Sequence, residues 1–152
     1  CSATQSTTDW DGDAMRAIDG NTSGNYLDKS CTHTKTQKLG DPSWWRGALV
    51  STHFIDTVEI FNRNNYSYRL KNFQIYIGDN EDYTKNKACA EGEFFTGAGT
   101  FQCKLSGKFV TVVIPAGGIL TLCEVEVYGV KNLQSHQNEL ITSTQEITQS
   151  SF

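Results

Sequence analysis

The chain has 152 residues, with 13 Lys and Arg against 17 Asp and Glu, a formal net charge of −4 and 38% hydrophobic residues. That length suits one domain, because a chain of this size buries roughly 70% of its unfolded surface on folding. An acidic balance without a basic stripe argues against a surface that tracks nucleic-acid phosphates, and no apolar run approaches the roughly 20 residues of a membrane-spanning helix. Because the chain opens at Cys1 with no initiator Met, a processed mature chain or an excised piece is expected.

In chain order, Asp13 to Ile18 reads as one helical turn, too short for the crossover of a βαβ unit. Strand signals then dominate. β-rich runs at Phe54 to Phe61, Phe73 to Gly78, Lys108 to Ile114 and Leu120 to Tyr128 are separated by clusters of Asn, Gly, Asp and Ser. Cys123-Glu124-Val125-Glu126-Val127 alternates with period two. The expected fold is all-β, a sandwich or jelly roll. After about Val130 the composition changes to Gln, Ser and Thr with few large apolar groups. Residues 1–130 therefore read as the domain and 131–152 as a polar tail or linker, a short amphipathic helix or strand being the alternative.

Five cysteines at scattered spacings contain no C-x-x-C pair of the kind that binds zinc or works as a redox dithiol. Two disulfides in an oxidising compartment are expected. Cys89 and Cys103 would close a short Gly-rich loop between strands. Cys31 and Cys123 would then form a long-range bridge from the His33 loop to the last strand, leaving Cys1 without an assigned partner.

The chemistry-bearing residues run from Ser30-Cys31-Thr32-His33 through Trp44-Trp45-Arg46 to Arg63 and Arg69. One imidazole and two guanidiniums brought together make a fork of donors suited to neutral hydroxyl oxygens or anions. No two carboxylates sit beside His33 and no Ser or Cys nucleophile accompanies a base, so binding rather than catalysis is expected. At least one of Trp44 and Trp45 reads as core packing.

Ala17-Ile18-Asp19-Gly20-Asn21, Ser30-Cys31-Thr32-His33, Trp44-Trp45-Arg46, Asn62-Arg63 and Leu122-Cys123-Glu124-Val125-Glu126-Val127, in that order, resemble the F-type lectins, the fucolectins related to the discoidin domain. The resemblance spans about Ala3 to Gly129. It implies a discoidin-like jelly-roll β-sandwich, a Ca2+ ion beside the sugar loop, recognition of terminal L-fucose on glycans, and a secreted, extracellular protein. By position it assigns sugar binding to His33, Arg63 and Arg69, His33 supplying one N–H. It adds a hydrophobic collar at Tyr26 and Leu27, with Trp10 approaching from the N-terminal loop. For Ca2+ it implies side-chain oxygens from Asp19, Ser30 and Glu124 and backbone carbonyls of Arg16, Asn21 and Cys123, six oxygens for a hard cation.

Two departures accompany it. Arg63-Asn64-Asn65-Tyr66-Ser67-Tyr68-Arg69 is one residue shorter than the family's arginine loop. Asn65 stands where an acid would brace the arginines, and Tyr66 or Ser67 stands where adjacent cysteines would form the rim, which brings Tyr66 into the sugar-binding set. Gly47 and Ala48 replace a more frequent Val-Asp. The sequons at Asn21 and Asn65 fall on these sites and are expected to carry no glycan. The rival reading is a discoidin-type module that docks on phospholipid or a protein partner through Trp10, Tyr66 and Tyr68.

Overall fold

The structure, a computed structural model, describes residues 1–93 and 95–131 together with the backbone of residues 148 and 149. Among these residues lie seven strands, β1 (Ser2–Gln5), β2 (Ser43–Phe61), β3 (Phe73–Gly78), β4 (Lys87–Gly92), β5 (Ala98–Ile114), β6 (Glu124–Lys131) and β7 (Thr148–Gln149). Every pairing is antiparallel, in the order β4-β3-β5-β2-β6-β7 with β1 also on β2. The fold is all-β, as expected from the sequence. The polar tail expected over 131–152 lies outside the described residues, apart from Lys131 at the end of β6 and the two residues of β7.

β2 and β5 run for 19 and 17 residues, several times the length of a typical strand of about 5–6 residues. Each serves two layers. Residues 43–48 of β2 pair with 109–114 of β5, which also carries β3, and residues 45–48 pair with β1 on the other side. Beyond a register break, residues 53–61 pair with 98–107 of β5 on one side and with β6 on the other. Trp45, Val112 and Ile75 from the first layer and Val58, Ile60, Val125 and Val127 from the second belong to one buried cluster. Burial of each such side chain contributes about 1.5–3 kcal/mol, so the two layers enclose a single core.

The layers change where Ala48 faces Phe109 and His53 faces Gly107, five steps on β2 matching two on β5, and a further bulge lies within the second layer. Ile55 faces Leu105 and Thr57 faces Gln102, so three steps on β5 match two on β2. Lys104 takes up the excess at φ +53°. On the β6 side Ile55 faces Gly129 and Thr57 faces Tyr128. There a Cβ on Gly129 would lie 2.1 Å from the Phe54 carbonyl oxygen, so only glycine allows the approach.

Two expectations are corrected. The run from Leu120 to Tyr128 is strand only from Glu124 onward. The Leu120 and Leu122 N–H groups donate to the hydroxyls of Thr34 (2.9 Å) and Thr32 (3.0 Å), not to carbonyls, so no regular ladder forms over Leu120–Cys123. Both disulfides pair as expected, Cys31 with Cys123 and Cys89 with Cys103. Cys89 and Cys103, however, lie on β4 and β5, at the register breaks of those strands, and not in a loop. Asp13 to Ile18 becomes a 3-10 turn over Ala14–Ile18. Trp45 is the core tryptophan, fully buried with its indole N–H donating to the Ala14 carbonyl at 3.0 Å.

Candidate functional site

The segment 32–34 is held from both sides. The Thr32 and Thr34 N–H groups donate to the carbonyls of Leu122 and Leu120, the two hydroxyls receive the N–H groups of those same leucines, and on the other side His33 N–H donates to Gly12 O while Asp9 N–H donates to His33 O. Thus His33, 4% exposed, is fixed at the floor of a cleft. A Cβ on Gly12 would stand 2.4 Å from His33 Cβ and N, which makes glycine a steric requirement there. Trp10 and Asp11, at φ +52° and +55°, turn the N-terminal loop so that Trp10, 72% exposed, overhangs the cleft.

The arginines come from the loop after β2. Asn62, buried, donates through Nδ2 to the carbonyls of Ser67 (3.0 Å) and Phe95 (2.7 Å), while its Oδ1 accepts the Arg63 N–H (2.8 Å). This side chain braces the short loop, while Asn65, which stands where an acid would brace the arginines, is exposed. Tyr66 at φ +62° then caps the 3-10 turn Ser67–Arg69. The Arg63 guanidinium lies between the rings of Tyr26 and Tyr66, at 4.5 and 5.0 Å, and Arg69 covers Tyr66 at 4.1 Å. Each such contact contributes about 0.5–1 kcal/mol at a partly exposed site and orients the planar fork.

A pocket of about 240 Å³ results, lined by Trp10, Tyr26 and His33 on one side, Arg63, Tyr66 and Arg69 on the other, and Ile119. It is smaller than the roughly 300–1,000 Å³ of pockets for drug-sized ligands, a size for one small ring. Six of the seven residues expected to bind sugar are brought together. Leu27 is not. It is 85% exposed and outside the wall, because Tyr26 and Leu27 are successive residues of a 3-10 turn and face different directions. Ile119, absent from the sequence reading, follows Gly117 and Gly118 at φ +86° and +103°, and that turn is the signal that it forms a tip.

The electrostatics are those of a cationic, carboxylate-free wall. No Asp or Glu lines the pocket, and among the described residues neither guanidinium has a carboxylate partner. Burial, and then Arg69 beside it, pulls the Arg63 pKa down, and Arg63 Nε is buried without a hydrogen-bond partner. Burial also lowers the His33 pKa below its ordinary 6.5, with Arg63 and Arg69 adding to the effect against the Thr34 carbonyl and Asp9. His33 Nδ1 lies 2.7 Å from the Thr34 carbonyl. A carbonyl only accepts, so Nδ1 carries the proton and neutral His33 presents a lone pair at Nε2. This corrects the expectation of an N–H there. One hydroxyl can donate to Nε2 while its oxygen accepts from the arginines.

Of the residues expected to hold a cation, Asp19 and Glu124 are brought together, the backbone N–H of Asp19 and the charge of its carboxylate both acting on the Glu124 side chain. Gly20 N–H donates to Glu124 Oε2 at 2.9 Å, and the Cys31–Cys123 disulfide ties the same segments. Glu124 starts β6 on the side opposite Val125, yet the N-terminal loop covers it completely, and Oε1 is buried without a partner. With no counter-charge, burial pushes its pKa up to about 8. Ser30 Oγ lies 2.6 Å from Ser23 O and 3.0 Å from Asn25 O, keeping its own lone pairs available, and Asp19 Oδ1 accepts the Asn21 N–H in a tight turn. An orphaned buried carboxylate oxygen is a donor of the type that a hard cation takes. The Arg16, Asn21 and Cys123 carbonyls belong to these same segments. Asn21 Nδ2 donates to Asp28 O at 3.3 Å and its Oδ1 accepts Ser23 N–H, so the first sequon's side chain is engaged.

Comparison with known proteins defines the class. The profile of the NedA-like, galactose-binding domain matches residues 16–112. Fucolectin-3 of Anguilla japonica is 38% identical over 125 residues, covering 75% of this chain and 65% of that protein. The F-lectin (fucolectin) from serum of striped bass, Morone saxatilis, superposes with a TM-score of 0.81 at 40% identity, over 88% of this chain and 46% of that one. A Streptococcus pneumoniae fucose binding module, SpX-3, gives 0.74 at 36% identity, over 86% and 94%. The chain thus spans about two thirds of the eel protein and about half of the bass lectin. It belongs to the F-type lectin (fucolectin) family of discoidin-like, galactose-binding-type domains.

Proposed function

We propose that this chain is a secreted, calcium-stabilised lectin, not an enzyme, that binds terminal L-fucose on glycans through His33, Arg63 and Arg69. The observation that carries the reading is the convergence of the two carboxylate-free guanidiniums and the Nε2 lone pair of His33 on one small pocket with aromatic walls. L-Fucose presents hydroxyl oxygens and its ring oxygen along one edge, which the fork of Arg63 and Arg69 suits. A hydroxyl that donates to His33 Nε2 keeps its lone pairs for those donors. The C6 methyl suits the apolar surface of Trp10, Tyr26 and Ile119, and burying one carbon contributes about 0.8 kcal/mol in favour of a 6-deoxy sugar. The names of the relatives, fucolectins and a fucose binding module, point the same way.

Asp19, Ser30 and Glu124, with the carbonyls of Arg16, Asn21 and Cys123, would hold the Ca2+ ion. Bound there, the ion supplies the positive charge that Glu124 lacks and clamps the N-terminal loop to β6. It does so from behind His33, without touching the sugar. A ligand of about eleven heavy atoms at roughly 0.5 kcal/mol each implies a Kd on the order of 0.1 mM for one site. Useful avidity then requires several sites, through oligomers or tandem domains.

The test is isothermal titration with L-fucose and with D-galactose, each in calcium and after chelation. Heat with fucose, weaker heat with galactose and loss of both in Arg63→Ala are expected. A calcium-loaded protein that is silent with fucose refutes the reading, and the same protein captured on liposomes without sugar competition would favour the discoidin-type rival.

A further inference from the structure

A second pocket of about 200 Å³ adjoins the first, and the side chains of Arg69 and Ile119 line both. Its remaining wall is Tyr68, Lys71, Thr36 and the Gly117-Gly118 turn. The two glycines, both at positive φ, make a floor without side chains, and the Tyr68 ring beside it is 54% exposed. An exposed aromatic ring and a bare backbone turn lining one pocket make a seat for the apolar face of a second pyranose ring. Among the described residues Lys71 has no ion-pair or hydrogen-bond partner, and no carboxylate lines either pocket. The charge is local, since the whole chain carries −4.

We propose that this second pocket seats the sugar next to the terminal residue, and that it favours an acidic sugar, one bearing a carboxylate or a sulfate, through Lys71 and the outer edge of Arg69. The inference rests on the fucose reading of the first pocket and adds to it the class of glycan. The continuity lies in Arg69: a guanidinium with five donors can face a hydroxyl on one side and an anion on the other. The side chains of the second pocket offer cations, one hydroxyl from Thr36, the phenol of Tyr68 and apolar surface, so a neutral sugar gains stacking there while an anionic one gains stacking and charge.

The test titrates the calcium-loaded protein and its Lys71→Gln and Tyr68→Ala variants with four ligands: L-fucose, a neutral fucosylated trisaccharide, and that trisaccharide carrying either a sulfate or a sialic acid on the neighbouring sugar. Lys71 is not in the wall of the first pocket, so L-fucose should bind wild type and Lys71→Gln equally; Tyr68 packs edge-on against Tyr66 at 6.2 Å, so each trisaccharide is compared with L-fucose on the same Tyr68→Ala protein. The wild type should prefer at least one acidic form by about three- to ten-fold, a preference that shrinks as salt rises and shrinks in Lys71→Gln, where Arg69 alone remains. Tyr68→Ala should weaken all three trisaccharides. The two acidic arms tell carboxylate from sulfate. Equal binding of neutral and acidic forms to the wild type, or a preference undiminished in Lys71→Gln, overturns this inference and leaves the fucose reading standing. Silence with L-fucose overturns the fucose reading and this inference with it.

Discussion

Acidification is expected to weaken fucose binding through His33, and the structure sets both the direction and the onset. The Nδ1 proton is committed to the Thr34 carbonyl at 2.7 Å, so only the neutral ring offers a lone pair at Nε2. Protonation replaces that acceptor with a donor and adds a third cation beside Arg63 and Arg69. Where only the neutral form is competent, the apparent Kd is the intrinsic value divided by the neutral fraction. Because burial holds the His33 pKa below 6.5, Kd should change by less than about twofold from about pH 8 to 6.5 and climb steeply only in more acidic solution. Beyond the folded-state pKa the rise approaches about tenfold per pH unit. Stability shares the sign: below about pH 6.5 the unfolded histidine takes up a proton that the folded ring resists, so stability falls with pH in that range. The assay is titration with L-fucose across this range in saturating calcium, paired with nitrogen chemical shifts of the imidazole. A Kd that changes between about pH 8 and 7, or that improves on acidification, refutes the acceptor role, and so does an Nε2–H tautomer in the neutral ring.

Three further outcomes follow from the geometry. Gly12→Ala puts a methyl group 2.4 Å from His33 Cβ; overpacking of this kind costs about 1–3 kcal/mol, and denaturant melts together with fucose titration should show lower stability and weaker binding at once. Calcium at about a hundred times its Kd should stabilise the fold by roughly 2.7 kcal/mol in thermal melts, and Glu124→Gln, which retains the shape of the buried Glu124 side chain without its charge, should abolish that increment. The disulfides should rank by loop length, with separations of 92 and 14 residues. Removing Cys31–Cys123 by paired Ala substitutions should cost about 1–2 kcal/mol more in urea unfolding than removing Cys89–Cys103, and the reverse order would place the effect in the folded state.

How far the sequence was legible differs from element to element, for physical reasons. Phe73 to Gly78 alternates cleanly and has partners on both sides, and its limits agree with β3. In contrast, the first half of β5, Ala98-Gly99-Thr100-Phe101-Gln102-Cys103-Lys104, carries glycine and lysine and no strong strand signal. It is a strand because β2 offers a ladder along its whole length, so context outweighs propensity. Leu120 to Cys123 errs the other way: an apolar run with strand composition has its N–H groups taken by the hydroxyls of Thr32 and Thr34. The motif residues of the pocket could be named from their order along the chain. The tautomer of His33 could not, since it depends on where the Thr34 carbonyl points.

Glu124 joins the two kinds of legibility. In Glu124-Val125-Glu126 the alternation marks both carboxylates as outward-facing, and Glu126 does remain partly exposed, its Oε2 accepting the Tyr128 hydroxyl at 2.7 Å. Glu124 is on the same side and wholly buried, because the loop that begins at Asp19 folds across it. A carboxylate in that position opposes folding unless a positive charge or protons accompany it. The loop that imposes this cost is continuous with Cys31, whose disulfide reaches the neighbouring Cys123, and with Thr32 to Thr34, whose bonds to Leu120 and Leu122 set His33 beside Ile119. The proposed cation, by neutralising Glu124, would therefore act on the pocket without contact, by fixing the segment from which His33 projects. Among the buried polar atoms that lack a partner in the described residues, Oε1 of Glu124 belongs to a carboxylate, the group for which burial without a partner costs most.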